Sequence, residues 1–265
     1  MTNLEIAAVA LAGVAAGFIN AVAGSGTLVT FPTLLAFGVP PVTANVSNNV
    51  GLFPGSVSAA LGLRDELRGQ RRRLLRLGAG SLLGGIAGAL LLLVLPSQAF
   101  NAIVPVLVGL GVVLVALQPR INRWLAARRR QAELAAGAGE LRPSKDRPDA
   151  GWLWPGVAAT GVYGGYFGAA QGILLVAVLG LGSADPVHRA NAVKNVLAAV
   201  VNGVAAVVFI AVADVDWLVA GLIGLGSVLG ALAGARVGRR LPPAALRAVI
   251  VVVGVTALGV FLLRN

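Results

Sequence analysis

Lys194 lies inside an apolar stretch at 188–213, together with Asn191 and Asn195. The spacing i, i+3, i+4 puts these three on one helical face, and Asn202 falls on the same face two turns further. An ammonium at the bilayer centre costs about 2.5–3.5 kcal/mol on insertion scales. The stretch holds no Asp or Glu to neutralise it, so a cation among amide donors points to an anion that completes the site. The alternative is that Lys194, six residues from His188, is shallow enough to snorkel to the interface. A matching face in the first half carries Asn45, Asn48 and Asn49. Each face is preceded by a glycine-rich break, Gly24-Ser25-Gly26 before Thr27, and Gly168 to Gly172 with Gln171 inside it. A helix N-terminus at such a break presents unpaired N–H groups and partial positive charge, an anion site that glycine lets a ligand approach closely. The plainer reading is that these glycines only permit tight helix packing.

Other chemistries are excluded. No Walker-type Gly-Lys-Ser/Thr loop is present. One histidine and no cysteine cannot make an ordinary zinc or haem site, and no buried Ser/His/Asp set is evident. The chain is therefore read as no enzyme, with no metal and no cofactor. Its net charge of +11 sits in short loops between apolar runs, which argues for membrane orientation and against nucleic acid. His188 and Arg189 read as interfacial, and Asp214 and Asp216 as loop residues. Trp152, Trp154 and Trp217 fall at segment ends, the usual place for interfacial tryptophan.

The elements that must position these residues are membrane helices. Of 265 residues, 57% are hydrophobic and 12% charged, where a soluble domain carries roughly a quarter charged. Apolar runs at 4–23, 26–38, 42–63, 74–95 and 98–118 are followed by a charged linker at 119–150. Runs at 152–167, 172–182, 188–213, 217–235 and 242–263 complete the chain. The spacing predicts one all-α polytopic membrane domain over 1–265, with about eight long helices and two short segments. The first run is read as a retained helix rather than a cleaved leader, since no Lys or Arg precedes it. Repeat one (4–118) and repeat two (151–263) align at an offset of 146 residues. Residues 80–89 read GSLLGGIAGA and residues 226–235 read GSVLGALAGA, while Asn45, Asn48 and Asn49 fall on Asn191, Lys194 and Asn195.

Charge bias separates two topologies. The loop 64–76 is rich in arginine and its partner around 210–222 is acidic; 236–247 is basic and its partner around 90–101 is neutral. Equivalent loops with opposite bias belong on opposite sides of the membrane, which makes the halves inverted repeats with a cytoplasmic linker and both termini outside. Inversion needs an odd number of crossings per half, met if each first helix and its short partner form a re-entrant hairpin. Eight ordinary crossings in two parallel repeats are the alternative.

Residues 20–49, NAVAGSGTLVTFPTLLAFGVPPVTANVSNN, and 161–180, GVYGGYFGAAQGILLVAVLG, followed by HRANAVKNVLAAVVNGVAAVVF at 188–209, carry a resemblance over nearly the whole chain. Here the chain resembles the TauE/SafE (TSUP) family of sulfite and organosulfonate exporters. It departs at Gly-Ser-Gly-Thr, where relatives often show three glycines, and at Gln171, where they often have Gly or Glu. The resemblance implies outward transport of small sulfur-containing anions. Moving one negative charge outward gains roughly 2.3 kcal/mol per 100 mV of inside-negative potential, so uniport-like export is expected. Proton coupling is the alternative, with Asp185 as its nearest carboxylate. The expected partners are a small anion and the lipid bilayer; homo-oligomerisation and a non-transporting scaffold role stay open.

Overall fold

A computed structural model describes residues 1–135, 149–183, 185–237 and 243–264. The helices are α1 (Asn3–Val22), α2 (Thr27–Ala36), α3 (Pro41–Gly62), α4 (Arg71–Val94) and α5 (Ser97–Ala135), then α6 (Leu153–Tyr166), α7 (Gln171–Gly182), α8 (Val187–Val212), α9 (Trp217–Val237) and α10 (Pro243–Arg264). A single 3-10 turn, Arg64–Leu67, follows α3, and no strand occurs among the described residues. The chain is all-α. By length and composition α1, α4, α8, α9 and the first 32 residues of α5 can each cross a membrane. Their outward leucines, such as Leu225 and Leu229, are exposed in a way that only a lipid solvent tolerates.

Local sequence explains the boundaries. Thr2 and Glu5 form a capping box at the start of α1: Glu5 N–H donates to Thr2 Oγ1 at 3.3 Å and Thr2 N–H donates to Glu5 Oε2 at 2.8 Å. Pro41 opens α3 at the first helical position, where its missing N–H costs nothing. The two glycine-rich breaks enter left-handed backbone, with φ of +80° at Gly24, +77° at Gly168 and +59° at Ala170. Two expectations are revised. The charged segment after 118 does not break the helix at Pro119, and α5 runs on to Ala135; residues 136–148 of the expected linker lie outside the described residues. In addition α6 has only 14 residues, about 21 Å of helix, too short for the hydrocarbon core. Three helices are therefore short, not two.

Glycine contacts fix the directions of the helices. On α9, Gly226, Gly230 and Gly234 meet Ala10, Val14 and Phe18 of α1 in rising order, so the pair is parallel. Gly84 and Gly88 of α4 meet Ala158 and Val162 of α6 in the same way. Gly51, Gly55 and Gly62 of α3 meet Ile223, Ser227 and Ala235, so α3 is parallel to α9. By contrast α3 runs against α8. Phe53 packs on Gly203, Asn202 Nδ2 donates to Ser56 Oγ at 2.9 Å, and beyond the end of α3 Glu66 pairs with His188 at 3.4 Å. Helices α3, α4 and α5 start at 41, 71 and 97, and α8, α9 and α10 start at 187, 217 and 243, each 146 later. Ser56 and Asn202, which bond to each other, are themselves 146 apart.

The two ends of the bundle are closed differently. At the end where α3 finishes, Arg73 bonds Asp149 at 3.0 Å and also pairs with Asp185, while Arg76 reaches Asp149 at 2.7 Å. These contacts tie α4 to the residues just before α6 and just after α7. At the other end Phe31, Phe100, Tyr166 and Phe167 form an edge-to-face ring cluster with centroids 5.1–6.2 Å apart.

Candidate functional site

The two glycine-rich tips meet in the interior. Gly172 N–H donates to Gly24 O at 3.0 Å, and a Cβ on either glycine would fall on the backbone of the other. That approach requires glycine on both sides. Beside the contact lies a cavity of about 20 Å³, lined by Asn20, Gly24, Thr27, Ser56, Ala59, Gly168, Gln171, Gly172, Lys194, Asn195, Ala198 and Asn202. It has room for about one water and none for a tetrahedral anion.

Lys194 is 1% exposed, which removes the snorkelling alternative. Its Nζ donates to Asn20 O at 3.0 Å and to Ala21 O at 3.5 Å, the last carbonyls of α1. Asn191 and Asn195 Nδ2 donate to Ala21 O at 3.4 and 3.3 Å. The last carbonyls of a helix have no partner within it and carry partial negative charge, so this face of α8 caps α1. The cation expected to be unpaired thus has backbone acceptors, and two of its three N–H groups are used. The first half repeats the device: Asn45 Nδ2 donates to Tyr166 O, at the end of α6, at 2.9 Å. Asn48, the counterpart of Lys194, bonds Thr30 Oγ1 and lies 3.5 Å from Thr27 Oγ1.

Of the residues singled out in the sequence, Gly24, Thr27, Gly168, Gln171, Gly172, Lys194, Asn195 and Asn202 line the cavity. Ser25, Gly26, Asn45, Asn48, Asn49 and Asn191 lie outside the lining. Gly26 N–H is taken by Asn20 Oδ1 at 2.7 Å. Ser25 Oγ and Asn49 Oδ1 are buried without a hydrogen-bond partner. The helix N-termini are less open than the sequence reading expects, since Gly172 N–H and Gly26 N–H both have acceptors. Gln171 differs. It is 4% exposed, lines the cavity, and its Nε2 has no partner. Such an orphan donor carries a desolvation penalty of about 1–3 kcal/mol that an acceptor ligand would relieve. No carboxylate lines the cavity.

Asn20 and Ser56 are lining residues that sequence reasoning missed. The 146-residue register pairs Ser56 with Asn202, and that signal was available. Asn20 has Tyr166 as its counterpart and gave none.

Residues 9–262 match the family described as "Sulfite exporter TauE/SafE". The chain is 29% identical over 255 residues to "Probable membrane transporter protein ORF9" of Sinorhizobium sp, covering 94% of this chain and 89% of that one. It is 28% identical over 246 residues to "Probable membrane transporter protein YfcA" of Escherichia coli (strain K12), covering 90% and 82%. No solved structure matches. With two glycine-rich tips meeting around buried polar groups in a multi-pass helical bundle, and with this match along almost its whole length, the chain belongs to the TauE/SafE family of membrane transporters.

Proposed function

We propose that this transporter exports small sulfur-containing anions, sulfite or organosulfonates, through the cavity between its two tips, driven by the membrane potential. The observation that carries the reading is a buried lysine amine and an orphan amide donor, Lys194 and Gln171, beside a cavity with no carboxylate lining. The antiparallel run of α3 and α8 and the mirrored helix pairings support inverted repeats, with the tips reaching the membrane middle from opposite faces. The arginine-rich end is cytoplasmic by the positive-inside rule. Uniport is favoured over proton coupling because Asp185 is held by Arg73 at that end, away from the cavity. The family description supports sulfur oxyanions as the substrate class.

The test is flux of labelled sulfite in proteoliposomes under an imposed potential, for wild type, Lys194→Ala and Gln171→Ala. Gln171→Ala removes a side-chain donor that makes no internal bond, so it separates a ligand role from a structural one. The reading expects potential-driven flux, abolished in Lys194→Ala and reduced at least tenfold in folded Gln171→Ala, the scale of one lost charge-assisted bond. Flux that ignores potential but follows a pH gradient would replace uniport with proton coupling. Unchanged flux in Gln171→Ala would leave the polar cluster a capping device and move the path elsewhere.

A further inference from the structure

Behind the cavity, on the outer face of the α3–α8 crossing, lies a groove of about 450 Å³. Its walls are Phe53, Val57 and Leu61 from α3 and Val196 and Val200 from α8, and Gly203 leaves space that Phe53 partly fills. The lining is apolar except at one end, where Arg64 stands. Arg64 is exposed and makes no ion pair or hydrogen bond among the described residues, while its neighbours are matched. Arg68 pairs with Asp65 at 3.0 Å and His188 with Glu66 at 3.4 Å. Exposed Arg71 and Arg72 at the start of α4 add positive charge at the same end.

Eleven residues separate Phe53 from Arg64, about 16 Å at a helical rise of 1.5 Å per residue. That is the depth of one leaflet, half of a hydrocarbon core of about 30 Å. An apolar slot one leaflet deep with an unpaired guanidinium at its headgroup end matches the two parts of a phospholipid. We propose that this groove is a binding site for an acidic phospholipid of the cytoplasmic leaflet, with an acyl chain along α3 and α8 and the headgroup phosphate on Arg64. The net positive field of this end selects acidic over zwitterionic headgroups. A second copy related by a two-fold axis along the membrane normal is a poorer occupant, because it would bring two Arg64 side chains to the same depth. Ser56 and Asn202, on the inner face of the same crossing, line the cavity. A lipid in the groove therefore braces the helices that shape the transport site.

Native mass spectrometry of the purified protein, titrated with phosphatidylglycerol or phosphatidylcholine, tests the assignment. The site predicts preferential first binding of phosphatidylglycerol by roughly fivefold, the worth of one surface cation. Arg64→Gln lowers the preference for phosphatidylglycerol severalfold, and Arg64→Lys restores part of it. Val200→Trp, which fills the groove, weakens both lipids. Equal binding of the two lipids to wild type, or a preference unchanged in Arg64→Gln, overturns the proposal. So does a dimer that Val200→Trp dissociates while lipid binding stays intact, since that gives the groove to a second copy. Arg64 is exposed and unpaired, so its variants keep the test decisive even if Val200→Trp fails to fold.

Discussion

The hairpin α1–α2 and the hairpin α6–α7 share a plan and differ in what holds them. The first turns at Gly24-Ser25-Gly26 with Gly24 left-handed; the second has both Gly168 and Ala170 left-handed, at φ +77° and +59°, with Ala170 lying 146 residues from Gly24. Phe31 of the first meets Phe167 of the second in the ring cluster, which joins the two hairpins. The second is pinned by Arg73, which reaches Asp149 before α6 and Asp185 after α7. The repeat positions of Arg73, Asp149 and Asp185 are Val219, Asn3 and Val39, so no such clamp is encoded at the opposite end. One closure is thus electrostatic and the other is a matter of aromatic packing. Two tips that meet each other can thus be held by contacts that respond to different perturbations.

The contrast can be broken most severely at the tips. Gly24→Ala puts a Cβ into the Gly172 backbone and forces a left-handed conformation, so a loss beyond about 4 kcal/mol is expected. Fluorescence-detected size exclusion should find little monodisperse protein. Next comes Phe100→Ala, which empties a fully buried ring from the cluster. It should cost about 3–5 kcal/mol, read as a fall in thermal midpoint that salt does not alter. Arg73→Ala leaves Asp149 and Asp185 with weakened pairing. It should cost about 2 kcal/mol, less than a fully buried pair because the side chain keeps some water contact. Here the midpoint of wild type should fall with added salt and that of the variant should not. A salt-insensitive wild type would mean that the ion pairs are not what closes this end. The smallest change sharpens the comparison of tips: Ala170→Gly relieves left-handed strain and should stabilise by at most about 1 kcal/mol, a rise of a degree or two in the same assay.

Much of the bundle was legible in the sequence because membrane helices announce themselves by length and hydropathy. Helix α3, with Asn45, Asn48 and Asn49, was legible both as the apolar run 42–63 and through its repeat partner. The end of α5 was not, since Pro119 and the arginines after it look like a loop, and an exposed helix beyond the bilayer tolerates both. The site was half legible. Gly24, Gly172, Lys194 and Gln171 stood out as polar or glycine residues in apolar runs. What they bond to did not, because Asn20 O and Ala21 O are backbone atoms and carry no sequence signal.

Composition settles that this chain is a helical membrane protein, and the 146-residue register shows that residues of its first half recur in its second, because hydrophobic length and recurring residues are properties of the chain alone. Which polar groups are consumed and which are left over is settled only by tertiary contact. Lys194 and Gln171 look alike in sequence, each a polar side chain in an apolar helix. Folding gives the first two carbonyls at the end of α1 and the second no partner, because hydrogen bonding depends on which helix ends are brought within 3 Å or so.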